Sequence, residues 1–542
     1  MVSAAHARGP VYRSSGVHAG IGPFGAKSQI ISYKYRNWSE TMRSDGRPWK
    51  EDGGRLWRRF FVRILPLFWL IPAIAAAGHK DANTQFGDGQ WSILIQDVQK
   101  GRPTLSVQAD HRQLPASTAK LLTTAYILHE LGAESHQKTR ILAQTIDDGV
   151  VQGPLIFLGG GDPDLSSRRF PFVRRTVRDD PMYPMRMLAA QVWAAGVRQI
   201  PEGILADATY FPADSTLPGW TEQDQRYWYG APIHALMFND AMIAVQIKPG
   251  RAAGARTNAE IMPNPGGFIR NTVITVSAED PIRPVRLEKS GSGYLLTGAI
   301  SAKGGIFAAM LAQPDPAYFA AAALRQALEE KGILVGNPIQ VLNNKSGAKQ
   351  SGGYAHYALL AKHESPPLVE EITVANKVSE NTHVEVLLRD ADLARGGDGS
   401  RASTMQGLHR WLSVNGILDT QARLMDGCGL SREDRLSAAD LVRMLLHSYQ
   451  EPWGASWRDS LPVSAEDGTL RHRLSALPAG TVQAKTGTLR DALSLAGFIR
   501  DNLGHRQYAF AILVEHFTGS EERIRRRMDA LVQRVALGDH TM

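Results

Sequence analysis

The sequence predicts an α/β protein in which both ends of the chain build one domain and a large, mostly β insertion interrupts it. Three observations support this prediction. A hairpin and an apolar helix lie near residue 100, helical periodicity followed by three strands fills the last third, and short strand-like runs with Gly and Pro turns lie between. At about 100 to 200 residues per domain, the 542 residues suffice for several domains.

The first 79 residues have the composition of a leader segment. They contain twelve Lys/Arg and four Asp/Glu, which equals the whole net charge of +8, so the rest of the chain is neutral. Basic residues at 55–63 precede an apolar run at 64–77 that ends in alanines, which is typical of a secretory signal. We therefore expect export to the bacterial periplasm or cell envelope, with cleavage near residues 75–77.

Three alternatives for the leader stay open. A permanent membrane anchor is disfavoured because the run has 14 residues and two prolines, whereas a spanning helix needs about 20 apolar residues. Peripheral contact with a membrane is compatible with the basic segment. Met42 offers a second start site, in which case residues 1–41 are not part of the protein.

The composition also argues against several function classes. A neutral folded part disfavours nucleic-acid binding. Cys428 is the only cysteine, so no intrachain disulfide can form. The histidines and the single cysteine do not have the spacing of zinc ligands, and the sequence contains no P-loop motif. We predict neither a metal nor an organic cofactor.

The first predicted elements are a hairpin over 91–97 and 104–109 and a helix that starts after Pro115 and ends at Gly132. Ser117 lies in the first turn of this helix, and Lys120, three residues later, shares its face. An unprotonated Lys120 amine could then take the Ser117 hydroxyl proton. Ser-x-x-Lys also occurs at 135–138 and 346–349, but neither of those copies begins a helix with an apolar face.

The middle of the chain is predicted to be mainly β-structure, with two convincing helices, the second over 316–331. Its loop-rich part, 166–232, could form a further subdomain. Helical periodicity returns over 365–448, and strands are predicted at 481–487, 492–500 and 507–515 before a final amphipathic helix at 520–537.

Ser379 and Asn381 lie in a predicted loop between helical segments 368–376 and 382–390. Ser379 could relay a proton between Lys120 and a leaving amine, and Asn381 could hold Lys120 and bind a substrate amide. The same Ser-x-Asn spacing occurs at 413–415, so this motif alone also fits an ordinary helix cap.

Lys485, Thr486, Gly487 and Thr488 lie on and just after the predicted strand 481–487, whose backbone can pair with an extended peptide. Lys485 is predicted to supply positive charge that lowers the pKa of Lys120 and attracts a carboxylate, which the two threonine hydroxyls could bind. Gly487 permits close approach. The backbone amides of Ser117 and Thr488 could form an oxyanion hole. The similar Lys-Ser-Gly triplets at 289–291 and 345–347 do not lie on a predicted strand near the C-terminus.

The ordered set of three motifs resembles the penicillin-binding proteins and serine β-lactamases. More narrowly, the chain from about residue 91 onward resembles the low-molecular-mass class C group, the D-alanyl-D-alanine carboxypeptidase/endopeptidase family. The resemblance is carried by LPASTAKLLTTA (114–125), GGGDPDL (159–165), FNDAMIAVQI (238–247), SENTHVEVLL (379–388), DGCGLSR (426–432) and AKTGTL (484–489).

The resemblance implies a penicillin-binding/β-lactamase-like transpeptidase domain, an antiparallel sheet flanked by helices. After the leader at 1–79, the two parts of this domain are then expected at 80–138 and 352–542, with the family's insertion, of two small domains, at 139–351. The implied reaction is acyl transfer on peptidoglycan peptides through Ser117, with β-lactam antibiotics as covalent inhibitors. A serine β-lactamase and a non-catalytic wall-binding scaffold are the alternatives. Cys428 departs from the family, which usually has Ser there. The oligomeric state is left open.

Overall fold

The computed structural model describes residues 86–539, apart from gaps at 173–179, 281–283, 344–352, 502–503 and 505–506. The predicted leader and Ser346 lie outside the described residues. The α-helices of the described part are α1 Lys120–Leu131, α2 Tyr183–Ala194, α3 Pro316–Glu330, α4 Leu368–Lys377, α5 Asn381–Ala394, α6 Arg401–Val414, α7 Ala438–His447, α8 Gly454–Asp459 and α9 Glu521–Ala536. None of these helices has the length and apolar character of a membrane span.

The strands of the described part are β1 Gln90–Asp97, β2 Pro103–Val107, β3 Lys138–Ala143, β4 Thr145–Asp147, β5 Val150–Gln152, β6 Leu155–Leu158, β7 Gln199–Ile200, β8 Ile204–Ala208, β9 Met242–Lys248, β10 Asn258–Met262, β11 Ile269–Asn271, β12 Ile274–Val276, β13 Arg286–Ser290, β14 Gly293–Thr297, β15 Ala299–Ser301, β16 Phe307–Ala312, β17 Leu334–Val335, β18 Ile339–Asn343, β19 Ala358–Glu364, β20 Val482–Leu489, β21 Ala492–Arg500 and β22 Gln507–Glu515.

One five-stranded sheet joins the two ends of the chain in the order β2-β1-β22-β21-β20. All its pairs are antiparallel, and Ile93 lies between Val107 on one side and Ile512 on the other. The predicted N-terminal hairpin and the three successive C-terminal strands are thus confirmed. The α/β class is confirmed as well.

Helices cover both faces of this sheet, as its sequence pattern requires. Along β22, Ala511 and Leu513 pack in the core shared with α1 and α7, whereas Phe510 and Ile512 pack in the core shared with α9. Successive side chains of a strand point to opposite faces, so a strand covered on both sides reads as a continuous apolar run. The edge strand β20 lies beside the short turn Ala116–Ala119 that precedes α1.

The insertion has its own core, in which α2 and α3 pack on mixed sheets. Its largest sheet has the order β18-β8-β6-β3-β19, with β6, β8 and β18 parallel and β3 antiparallel to both neighbours. Both helices predicted here are present. Leu217 and Trp220, from the predicted subdomain 166–232, pack instead into the core around α1. Because β19 pairs with β3 in this sheet, the pairing favours a second boundary of the insertion after residue 364, and the predicted boundary at 351 stays a prediction.

Candidate active site

Ser117 lies in a tight 3-10 turn, Ala116–Ala119, that runs directly into α1. The sequence predicted a regular helical turn here. The turn is held from below by the Pro115 carbonyl, which accepts hydrogen bonds from Thr118 Oγ1 and Ser494 Oγ, each 2.6 Å long. Ala116 has φ +48°, a region that residues other than Gly rarely occupy. The strained turn leaves Ser117 partly exposed at the head of the helix.

Lys120 is fully buried, and its amine lies among three oxygen atoms. Nζ is 2.6 Å from Asn381 Oδ1, 2.7 Å from the backbone carbonyl of Cys428 and 3.1 Å from Ser117 Oγ. The two shorter contacts are to oxygens that can only accept. A neutral amine has two N–H groups and one lone pair, so using both N–H groups on these oxygens points the lone pair toward the Ser117 hydroxyl.

Burial lowers the pKa of Lys120, although Asp426, Glu380 and Glu385 raise it. From the sequence we predicted that the positive charge of Lys485 lowers the pKa of Lys120. That attribution is wrong as to the main cause, since removal of the ammonium from water outweighs the other effects. The environment of Lys120 thus favours the neutral amine that a general base needs.

Ser379 is the middle residue of the short link between α4 and α5, and it also has a left-handed backbone, with φ +65°. Asn381 is the first residue of α5 rather than part of a loop. Its carboxamide is held at both ends, because Nδ2 donates to the Tyr229 carbonyl at 2.7 Å while Oδ1 accepts from Lys120. This pairing fixes which end of the amide faces the lysine.

Lys485 lies on β20, fully buried, with Nζ 2.8 Å from Ser379 Oγ and 3.0 Å from the Thr486 carbonyl. Burial lowers its pKa well below the usual range, and a charge on Lys120 adds to the effect. Ser379 therefore connects to one lysine of the site and Asn381 to the other.

Thr486 and Thr488 line the cleft on either side of Gly487. A Cβ on Gly487 would lie 2.1 Å from Ser494 Oγ and 2.8 Å from the Pro115 carbonyl, so only glycine lets β20 pack against the Ser117 turn. Thr486 Oγ1 donates to Thr469 Oγ1 at 2.8 Å. All eight residues singled out in the sequence lie in or directly beneath this one cleft, of about 610 Å³.

The other Ser-x-x-Lys copy that the structure describes lies elsewhere. Ser135 is in the link after α1, where its hydroxyl donates to the Gly132 carbonyl. Its surroundings provide no buried amine of the kind found at Lys120. The two copies share the Ser-x-x-Lys spacing, but only Ser117 has a buried lysine amine beside its hydroxyl.

Sequence reasoning missed the cleft residues that come from the insertion, among them Asp224 and Tyr229. Asp224 accepts from Arg432 of the 426–432 stretch at 2.7 Å and from the backbone and hydroxyl of Thr221. No local pattern marks these residues. The only signal in the sequence was that both residues lie between the family-like stretches 159–165 and 238–247.

Cys428 contacts the site through its backbone. Its carbonyl accepts from Lys120, and its N–H donates to Glu385 Oε1 at 2.9 Å. The thiol is buried, and burial raises its pKa well above the usual range. The Ser-to-Cys departure therefore leaves the hydrogen bonds that reach Lys120 unchanged.

Comparison with known proteins agrees with this geometry. The sequence model of the D-Ala-D-Ala carboxypeptidase 3 (S13) family matches residues 78–536. A D-alanyl-D-alanine carboxypeptidase of Actinomadura sp. (strain R39) is 28% identical over 443 residues, which cover 79% of this chain and 78% of that protein. The D-alanyl-D-alanine carboxypeptidase DacB of Haemophilus influenzae is 22% identical, with 87% of this chain and 95% of that protein covered.

The fold is shared with a solved structure. The crystal structure of penicillin binding protein 4 (dacB) from Haemophilus influenzae superposes with a TM-score of 0.71 at 21% identity, covering 83% of this chain and 97% of that one. A second structure of that protein, complexed with a β-lactam, has a TM-score of 0.65 at 20% identity, covering 83% of this chain and 96% of that one. The predicted penicillin-binding type of fold is thereby confirmed.

Proposed function

The chain belongs to the D-Ala-D-Ala carboxypeptidase 3 (S13) family, and on that premise we propose that it hydrolyses D-Ala-D-Ala type bonds of peptidoglycan peptides through an acyl-enzyme on Ser117. Both removal of a terminal D-alanine and cleavage of a cross-link fit this chemistry, because each breaks an amide whose acyl half is a D-alanine. β-Lactams acylate the same hydroxyl in this proposal.

The observation that carries the proposal is that both N–H groups of a neutral Lys120 amine already have hydrogen-bond acceptors. Its two N–H groups are used by Asn381 and by the Cys428 carbonyl, so its lone pair faces Ser117. In acylation, Ser117 Oγ attacks the carbonyl carbon while Lys120 takes the hydroxyl proton. The amide C–N bond then breaks, and the departing amine takes the proton that Lys120 received, relayed through Ser379, whose hydroxyl lies in the cleft beside Lys485. Lys120 is then neutral again.

Two further roles complete the proposed cycle. The amides of Ser117 and Thr488 stabilise the oxyanion, and Thr486 with Thr488 binds the substrate carboxylate in the cleft. A water molecule then attacks the ester carbonyl while the neutral Lys120 amine accepts one of its protons. As the ester C–O bond breaks, Lys120 returns that proton to Ser117 Oγ, and the acid product leaves.

Intact-mass measurement with a penicillin tests the proposal, followed by peptide mapping of the adduct. We expect one adduct, on Ser117, and none in Ser117→Ala. Ser135→Ala is the matched control, because it removes the half-buried serine of the other described Ser-x-x-Lys copy. A label on another serine, or full labelling of Ser117→Ala, contradicts the assignment.

The same adduct distinguishes the two alternative functions. A carboxypeptidase keeps its penicilloyl ester long after it has turned over D-Ala-D-Ala peptides, whereas a β-lactamase hydrolyses that ester rapidly. A non-catalytic scaffold releases no D-alanine from a muropeptide. Release of D-alanine or of separated stems from a cross-linked muropeptide then shows which bond is cleaved.

We also propose that the protein acts in the cell envelope after removal of its leader. Support comes from the basic residues at 55–63 and the apolar run at 64–77, which precede the family match. N-terminal sequencing of the protein from an envelope extract should find a start near residue 80. A start upstream of Arg55 contradicts cleavage.

A further inference from the structure

Two motifs that carry the resemblance, at 159–165 and 238–247, lie in the insertion and have no part in the proposed chemistry. They meet in space, because the Asn239 N–H donates to the Leu165 carbonyl at 3.0 Å. Just beyond the first motif lies Arg168, and within the second lies Asp240. Their side chains form a buried ion pair, with Arg168 Nη2 2.5 Å from Asp240 Oδ2.

This pair reaches the catalytic part of the molecule on two sides. Arg168 Nη2 is also 3.7 Å from Glu380 Oε2, and Glu380 is the residue between Ser379 and Asn381. Asp240 Oδ1 is 3.0 Å from Nε2 of His383 in α5, and Nδ1 of that ring is 2.9 Å from Glu371 in α4. The His383 side chain is completely buried. Both helices that flank Ser379 are thus linked to the insertion through charged groups.

Backbone strain occurs at both ends of this network. Asn239, Asp240 and Ala241 have φ between +52° and +55°, and Ser379 has φ +65°. Such conformations cost about 1 to 3 kcal/mol each and persist only where the surroundings enforce them. Here the contacts of Asp240 with Arg168 and His383, and of Glu380 with Arg168, hold these backbone conformations in place.

We propose that Arg168 and Asp240 are positioning residues for the reaction: their ion pair fixes Glu380, and through it the link that presents Ser379 and Asn381 to the two lysines. The proposal rests on the function proposed above. It gives the insertion a part in acylation besides any part it has in substrate binding.

Charge balance gives Arg168 a second effect. The titratable groups around Lys120 are Glu380 and Glu385 of α5, Asp426 and the Cys428 thiol of the 426–432 stretch, and Lys485 of β20. Burial and the charge of Asp240 raise the pKa of Glu380, whereas the three cations His383, Arg168 and Lys120 lower it. Arg168→Met removes one of these three cations, and the loss of a nearby positive charge raises the pKa of Lys120.

The test compares Arg168→Met and Asp240→Asn with the parent in the second-order rate of penicillin acylation. The rate is measured from pH 5 to 10, below the unfolding temperature of each variant. Asp240→Asn keeps the side-chain shape and tolerates the left-handed backbone. Displacing a positioned group costs up to about a hundredfold in rate, so we expect losses of about tenfold or more in both variants.

Two readouts separate positioning from general destabilisation. In Arg168→Met the acidic limb of the pH–rate profile should move to higher pH, and Arg168→Lys should restore the position of that limb with part of the rate. Tyr210→Phe is the matched control, since it removes another hydrogen bond from the insertion to α5, the 2.8 Å contact with Asp390. It should lower the unfolding temperature and leave the acylation rate unchanged.

The outcomes are distinguishable. Either variant, folded and acylating within twofold of the parent, overturns the proposal, as does an equal loss in Tyr210→Phe. If Arg168→Met does not fold, the Asp240→Asn rate decides. Failure of the parent to form a Ser117 adduct contradicts the proposed function itself, and it is seen before any variant is compared.

Discussion

At the scale of single residues, the two buried lysines have different requirements. Lys120 must be neutral to accept the Ser117 proton, and arginine remains protonated in proteins. We predict that Lys120→Arg lowers penicillin acylation by about a hundredfold to ten-thousandfold, the usual contribution of a general base. Second-order acylation rates measure this effect, and a variant that acylates nearly as fast as the parent excludes Lys120 as the base.

Lys485 is expected to tolerate the same change better. Its contacts are to Ser379 Oγ and the Thr486 carbonyl, both of which a guanidinium can also donate to. We predict partial acylation in Lys485→Arg and a loss of about a hundredfold or more in Lys485→Ala, as for removal of a preorganised electrostatic contact. Equal losses in the two variants show that size, rather than hydrogen bonding, determines the effect.

Cys428 provides a prediction in the opposite direction. Since its carbonyl rather than its thiol contacts Lys120, Cys428→Ser should keep the parent acylation rate. Burial raises the thiol pKa, so iodoacetamide should label Cys428 only after unfolding. Mass spectrometry with and without denaturant measures the labelling. Rapid labelling of the folded protein that also blocks acylation places the thiol in the cleft.

At the scale of elements, the approach of β20 to the Ser117 turn depends on one glycine. In Gly487→Ala the new methyl would meet Ser494 Oγ and the Pro115 carbonyl, and both of these hold the turn. Overpacking of this kind costs about 1 to 3 kcal/mol. We predict a modest loss of stability and a much larger loss of acylation, measured by thermal unfolding and by penicillin binding. Gly353→Ala, with no atom within 4 Å and no left-handed backbone to strain, is the control.

The helices α4 and α5 are joined by a histidine whose charge stabilises the fold. Burial alone would lower the pKa of His383, but hydrogen bonds and charges from Asp240 and Glu371 raise it to about 10 from the ordinary 6.5. A raised pKa contributes stability that is complete below about pH 6.5 and is lost as the pH rises through about 10. The contribution of His383 to the unfolding free energy should therefore fall over this window.

The measurement is the difference between the parent and His383→Gln, because buried lysines titrate in the same range. The slope of the unfolding free energy against pH should be more negative in the parent, by up to about 1.4 kcal/mol per pH unit for one proton. Denaturant unfolding at pH 6 to 10 provides these values. Parallel curves for the two proteins mean that His383 is neutral in the folded state.

Elements with a local signature could be predicted from the sequence. Residues 492–500 and 507–515 were predicted as strands and are β21 and β22, because both are apolar runs bounded by turn residues. The tight turn at Ser117 was not predicted, because it depends on Ser494, which is 379 positions from the Pro115 carbonyl it supports. The contacts from Tyr229 and Arg168 are equally remote in sequence, and no periodicity reports them.

At the scale of the whole molecule, the insertion and the catalytic part share buried charges in addition to apolar contacts. Arg389 of α5 is 1% exposed and lies 2.5 Å from Asp214 of the insertion and 3.1 Å from Glu385 of its own helix. Separating the two parts would leave this guanidinium without one of its partners. Breaking a buried pair on one side typically costs about 3 to 5 kcal/mol. The two parts are therefore expected to unfold together.

This expectation gives a prediction for the complete chain. Native-state hydrogen exchange should show one common opening free energy for core amides of the insertion, such as Val245 in β9, and of the central sheet, such as Ile512 in β22. Asp214→Ala should lower both values equally, because the pair it breaks joins the two parts. Glu260→Ala is the control, since it removes a more exposed pair with Lys248 inside the insertion, worth at most about 1 kcal/mol. If only the Val245 value falls in Asp214→Ala, the insertion opens by itself, and its hold on the Ser379 link is lost before the catalytic sheet unfolds.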